Sequence, residues 1–202
     1  MPVPMIATVT SPITNRRKRT PTWKLIETFT AANGTQITSR ASDNGITPVV
    51  WSGGYLASNA VIQNNRAQFG NSGIIYTCST TLIRIVCGYV SINNGGYNDI
   101  RFYFTNTDAT NGYGIRFNSN SLTIIDYTVG TLAWDAGGNP TGFTSGTVTI
   151  DLTAGGVTVT CVDGSIGTVV RNYTASMRNS TSAKVSIGGN PSSPAFDNLY
   201  AK

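Results

Sequence analysis

The sequence predicts an all-β, antiparallel fold of sandwich or barrel type, and three observations carry the prediction. Apolar and polar residues alternate with period two in short runs from Trp23 to the C-terminus. Glycine-rich punctuation separates those runs, with glycine pairs at 53–54, 95–96, 137–138, 155–156 and 188–189 marking turns. No window of helical length keeps an apolar stripe at a spacing of 3.6 residues.

The run Thr147 to Leu152 is the clearest strand. Val148, Ile150 and Leu152 face one way, and Thr147, Thr149 and Asp151 the other. Ile100, Phe102 and Phe104 alternate in the same manner with Arg101, Tyr103 and Thr105, as do Val157, Val159 and Cys161 with Thr158 and Thr160. Leu82 to Val90 is more continuously apolar, which predicts a central strand buried on both faces. Further strands are expected at Leu25–Phe29, Val61–Phe69 (as two short pieces), Ile74–Cys78, Gly114–Phe117, Leu122–Tyr127, Thr168–Tyr173, Lys184–Ile187 and Phe196–Ala201. The chain shows no internal repeat, which argues against propellers and solenoids.

Composition fits one packed domain. Of 202 residues 40% are apolar and only 11% charged, the opposite of the balance that keeps a chain disordered. The charge is unevenly placed. Residues 1–22 hold Arg16, Arg17, Lys18 and Arg19 with no acid, together with four of the eight prolines. Residues 23–202 hold ten bases against nine acids, so the net charge of +5 belongs mostly to the N-terminal segment. Proline fixes φ and removes a donor, so residues 1–22 read as an extended arm and 23–202 as the folded domain. A near-neutral domain offers no broad basic face for nucleic acid. No apolar run approaches the roughly 20 residues of a membrane-spanning helix, and proline interrupts the weakly apolar start, which lacks a secretory pattern.

Candidate chemistry is sparse. The chain has no histidine, which removes Ser-His-Asp and Cys-His arrangements. Glu27 is the only glutamate, and no pair of carboxyl groups stands out for glycoside hydrolysis; no catalytic residue is assigned and an enzyme is not expected. Cys78, Cys87 and Cys161 are odd in number, irregularly spaced and set in apolar runs, so they read as small buried hydrophobes. Without His or a Cys-x-x-Cys pair no zinc site is expected, and no cofactor is implied. Trp51, Tyr55, Tyr97, Tyr113 and Trp134 lie in or beside Gly/Asn-rich loops and are the candidates for stacking on sugar rings, against the plainer role of capping the core.

Two stretches resemble a known group. Glu27-Thr28-Phe29-Thr30-Ala31-Ala32-Asn33-Gly34-Thr35, followed by Ile37 and Ser42-Asp43-Asn44-Gly45, resembles the opening of concanavalin A-like (laminin-G-like) jelly rolls, versions of which occur in bacteriophage virion proteins. Phe196-Asp197-Asn198-Leu199-Tyr200 resembles their last strand, which returns beside the first. The resemblance implies a two-sheet antiparallel jelly-roll sandwich with Phe29 and Phe196 as core-facing partners on adjacent terminal strands. Several similar sandwiches hold calcium where those strands meet, which would draw on Glu27 and Asp197 here, but the few acids favour hydrogen-bonded carboxylates and no metal is expected.

Function follows from the resemblance and the arm together. The leading expectation is a non-catalytic phage decoration (cement) protein on the virion surface, made in the host cytoplasm and associating as a homo-oligomer, with a trimer expected. Its arm would dock on the major capsid protein lattice, with Arg16, Arg17, Lys18 and Arg19 pairing with acids while Val9 and Ile13 lie along a neighbour. The alternative is a carbohydrate-binding module or receptor-binding tail protein that uses the loop aromatics on host surface glycans.

Overall fold

A computed structural model describes residues 22–50, 60–70, 72–78, 82–90, 98–103, 113–118, 121–126, 130–133, 142–153, 156–173, 184–189 and 195–202. In chain order its strands are β1 (Leu25–Glu27), β2 (Val49–Val50), β3 (Ala60–Ile62), β4 (Ala67–Phe69), β5 (Ser72–Thr77), β6 (Arg84–Val90), β7 (Asn98–Tyr103) and β8 (Tyr113–Asn118). They continue as β9 (Ser121–Asp126), β10 (Gly130–Ala133), β11 (Ser145–Thr153), β12 (Gly156–Asp163), β13 (Gly167–Tyr173), β14 (Lys184–Gly189) and β15 (Ala195–Ala201). One turn of 3₁₀ helix, Ile37–Ser39, is the only helical piece among the described residues.

The strands form a two-sheet antiparallel jelly-roll sandwich. The eight-stranded sheet runs β13-β12-β11-β6-β15-β4-β3, with β1 also on β15; the seven-stranded sheet runs β10-β9-β8-β7-β14-β5-β2. The first and last strands are adjacent, with Leu25 opposite Ala201 and Glu27 opposite Leu199. β1 and β4 divide one edge of β15 between them, since β4 pairs with Ala195 and Phe196 further along.

Period-two alternation explains how the sheets meet. Leu25, Ile62, Phe69, Ile85, Cys87, Val148, Ile150, Val159 and Leu199 from one sheet pack against Ile74, Tyr76, Ile115, Leu122, Ile124, Val185 and Ile187 from the other. Removing about 25 cal/mol of unfavourable hydration per Å² of apolar surface is the main force that closes such a sandwich. Phe29 and Phe196 are both fully buried, but they are not simple cross-strand partners. Phe29 lies past the end of β1 at φ 53°, and the ring of Phe196 meets Phe69 edge-on at 5.8 Å.

The segment that resembles a jelly-roll opening acts as a clamp on β1. The Asp43 carboxylate accepts the Thr28 N–H (2.9 Å) and hydroxyl (2.6 Å), and the Asn44 side chain accepts the Ile26 N–H (3.0 Å) and donates to the Lys24 carbonyl (2.7 Å). With the Asp43 N–H also donating to the Ile26 carbonyl (2.9 Å), a three-residue strand has its open edge satisfied by a turn rather than by another strand.

Several expectations need correction. β6 is central but buried on one face only: Ile85, Cys87 and Tyr89 point inward, while Arg84, Val86, Gly88 and Val90 alternate at half-buried positions. The pair Gly188–Gly189 is not a turn; it ends β14, where both residues are buried between β7 and β5. Val61–Phe69 does split in two, around Asn64-Asn65 at φ 53° and 56°. Two consecutive left-handed residues are what a tight two-residue hairpin matching strand twist requires. β2 and β10 are too short to show a period, and only pairing to β5 and β9 defines them. All three cysteines are free and buried.

Candidate functional site

A surface recess lies on the outer face of the eight-stranded sheet, where β15, β6 and β11 meet. Its volume is 410 Å³, and Val86, Gly88, Thr147, Asp197, Asn198 and Tyr200 are among its lining residues. That volume suits a small ligand. Asp197 is the only acid in the lining, and no Lys or Arg lines it.

A β-bulge creates the recess. Asp197 is registered with Gly88, but Leu199 is registered with Cys87, so Asn198 is an extra residue without a partner. Asn198 takes the left-handed conformation at φ 42°, which Asn tolerates better than most residues. The bulge lets Phe196 and Leu199, three residues apart, both reach the core while Asp197 and Asn198 are turned to the cleft. Glycine at 88 is required by the same geometry, because a Cβ there would stand 2.7 Å from the Asp197 carbonyl oxygen.

Tyr200 forms one wall and is itself braced. Its ring lies 5.5 Å from that of Trp23 at 46°, and the Lys202 ammonium sits 5.0 Å from the centre of the Trp23 ring. The cleft therefore offers a carboxylate, an amide, threonine and serine hydroxyls and a fixed aromatic ring within a few ångströms of sheet surface.

Glu27 and Asp197 do not share a site. Glu27 is fully buried on the core side. Its Oε1 accepts the Phe29 N–H (2.6 Å) and the Arg40 guanidinium (2.7 Å), and its Oε2 accepts the Tyr76 hydroxyl (3.0 Å). Asp197 lies on the opposite, outer face. No group of three or more acids, cysteines or histidines suited to a metal ion occurs among the described residues. Burial works against the Arg40 charge, but the hydrogen bond and charge of Glu27 outweigh it and raise its pKa. Burial, and then Glu27, push the Tyr76 phenol far above its usual range, so it stays a donor.

A second buried network ties β6 to the β12–β13 turn. Asp163 accepts the Tyr89 hydroxyl (2.7 Å) and the N–H groups of Thr144 (2.9 Å), Ser165 (2.7 Å) and Ile166 (3.3 Å). Burial alone would raise its pKa, but these donors stabilise the carboxylate and lower it.

The other expected site residues fall elsewhere. Val9, Ile13, Arg16, Arg17, Lys18 and Arg19, and the loop aromatics Trp51, Tyr55, Tyr97 and Trp134, lie outside the described residues. Tyr113 begins β8, registered with Phe102 and Asp126. Nothing in the local pattern marks Gly88, Thr147 and Tyr200 as neighbours, since they come from strands far apart in sequence. A signal for the bulge is present in Phe196-Asp197-Asn198-Leu199, where two polar residues separate apolar ones and break the period of two.

The fold and this cleft define a jelly-roll β-sandwich with a polar, tyrosine-walled recess on its larger sheet. No protein-family model matches the chain, and no curated protein sequence matches it. Among solved structures it is similar to the carbohydrate-binding module CBM66 from Bacillus subtilis, at 10% identity and a TM-score of 0.47 over 67% of this chain and 83% of that one. It is also similar to the seed lectin of Lotus tetragonolobus, at 11% identity and 0.49 over 82% and 96% of the two chains. Lectin I-B4 of Griffonia simplicifolia gives 11% and 0.49 over 79% and 93%.

Proposed function

We propose that this sandwich is a non-catalytic carbohydrate-binding module and that the cleft at Asp197, Asn198 and Tyr200 receives the sugar. The chemistry of the recess carries the reading. A carboxylate can accept two sugar hydroxyls, Asn198 can donate and accept, and a ring braced by Trp23 offers a rigid face to C–H groups. Hydrolysis of a glycosidic bond needs two positioned carboxyl groups, and the cleft lining has one. The test is a glycan array followed by calorimetry on the best hit with Asp197→Ala and Tyr200→Ala. Each substitution should lower affinity at least about tenfold, the scale of one lost charge-assisted hydrogen bond or stacking contact. Unchanged affinity in both variants would remove the cleft from the reading.

A second reading rests on the segregated charge. Arg16, Arg17, Lys18 and Arg19 follow Val9 and Ile13 on a proline-spaced segment ahead of a near-neutral domain, which suits an arm that orders on a capsid lattice. A chain beginning at Trp23, keeping the brace on Tyr200, should fold yet no longer bind purified capsids. Retained binding would end this reading.

A further inference from the structure

Resting on the sugar-binding reading, we propose that the cleft is one end of a longer platform and that its ligand is an internal stretch of a neutral polysaccharide. Strand register sets out the platform. From Asp197, one row crosses the sheet through Gly88, Thr147, Val162 and Thr168; from Tyr200, a second crosses through Val86, Thr149, Thr160 and Val170. Each row takes four inter-strand steps of about 4.8 Å, a path of about 19 Å that leads out of the cleft to the edge of the sheet.

The surface of these rows is unusual for a solvated sheet face. Val162 and Val170 are 51% and 45% exposed, among the most exposed large hydrophobic side chains described. Between and beside them stand threonines, each with a methyl group and a hydroxyl. Asp197 is the only charged residue in either row. The next row holds the ion pair of Arg84 and Asp151 and, opposite Arg84, Lys202, whose ammonium is held over the Trp23 ring. Methyl groups alternating with hydroxyls match a pyranose chain, which presents C–H patches between hydroxyls. The absence of any cation in the rows disfavours uronic or sulfated sugars, because Asp197 would repel them and the Lys202 charge is held over Trp23 rather than along the path.

The full-length chain should be titrated by calorimetry with neutral gluco-, manno- and galacto-oligosaccharides of two and six units, and with a hexamer of galacturonic acid. For the sugar series that binds, the hexamer should bind roughly tenfold or more tighter than the dimer, and the acidic hexamer should not bind. Thr160→Lys, which changes an outward position on β12, one strand beyond the cleft lining on β11, should cut the hexamer's advantage to about threefold or less and leave the dimer's affinity unchanged. A thermal melt verifies that this variant is folded. Equal affinity for dimer and hexamer, with Asp197→Ala still abolishing both, would overturn the platform and leave the cleft standing. A hexamer advantage that survives Thr160→Lys, or tight binding of the acidic hexamer, would also overturn it. Failure of every oligosaccharide to bind would overturn the platform and the sugar-binding reading together.

Discussion

Tyr76→Phe isolates one hydrogen bond in the buried network that joins the sheets, and its effect can be worked from the geometry. The Tyr76 side chain is fully buried on β5, and its hydroxyl donates to Glu27 Oε2 at 3.0 Å. The other oxygen of Glu27 is held by the Phe29 N–H and Arg40, so losing the phenol leaves Oε2 with no protein donor in a site without solvent exposure. A hydrogen bond to a charged group contributes about 1.5–3 kcal/mol, and an orphaned buried acceptor places the loss toward the upper half of that range. Near 200 residues, each kcal/mol shifts the melting midpoint by about 2–4 °C, so the variant should melt about 4–12 °C lower. Urea unfolding at pH 7 should show the same loss at an unchanged m-value. Pairing it with Glu27→Gln in a double-mutant cycle should give a coupling of about 1 kcal/mol or more, because the two side chains touch. A stability change below about 0.5 kcal/mol would refute the claim that this hydrogen bond helps hold β1 to the opposite sheet.

Asp163→Asn should lower stability at neutral pH by about 1–3 kcal/mol, through weakened bonds to Tyr89 and three N–H groups. Because the folded-state pKa of Asp163 lies below its unfolded value of about 3.9, its contribution is complete above that value and fades as pH falls through the folded pKa. Urea titrations from pH 7 to pH 2 should therefore show wild type and variant converging only below about pH 4. Gly88→Ala should cost about 1–3 kcal/mol, because its Cβ meets the Asp197 carbonyl at 2.7 Å, and should also weaken sugar binding by displacing the bulge. Burial pushes the Cys78 and Cys161 thiols up to about 11 and Cys87 well above its usual value. A thiol-reactive chromophore at pH 8 should accordingly label none of the three in the native protein and all three in guanidinium; rapid native labelling would contradict their burial.

The all-β class was legible because alternation in Thr147–Leu152 and Val157–Cys161 is strong enough to place one face inward without knowledge of any partner strand. Leu82–Val90 misled because Val86 and Val90 are apolar yet lie on the outer face; hydrophobicity alone does not distinguish a strand covered on both sides from one whose outer face borders a cleft. The pair at 188–189 misled because glycine serves both turns and crowded sheet positions, and only the strands on either side of β14 decide which. Glu27 and Asp197 come from terminal strands that do lie together, but the inward orientation of one and the outward turn of the other separate them.

What the chain's residues determined unaided was periodicity and composition: an antiparallel strand class, buried cysteines, and basic charge gathered in residues 1–22. Those properties are local, set by alternation of side chains and by backbone preferences of glycine and proline. The cleft was decided only by tertiary pairing. Gly88, Thr147 and Tyr200 are distant along the chain, and one extra residue at Asn198 shifts the register that brings them to a common surface. A shift of a single residue in an antiparallel pair changes which side chains share a face, and that depends on hydrogen bonding across strands rather than on any stretch of sequence.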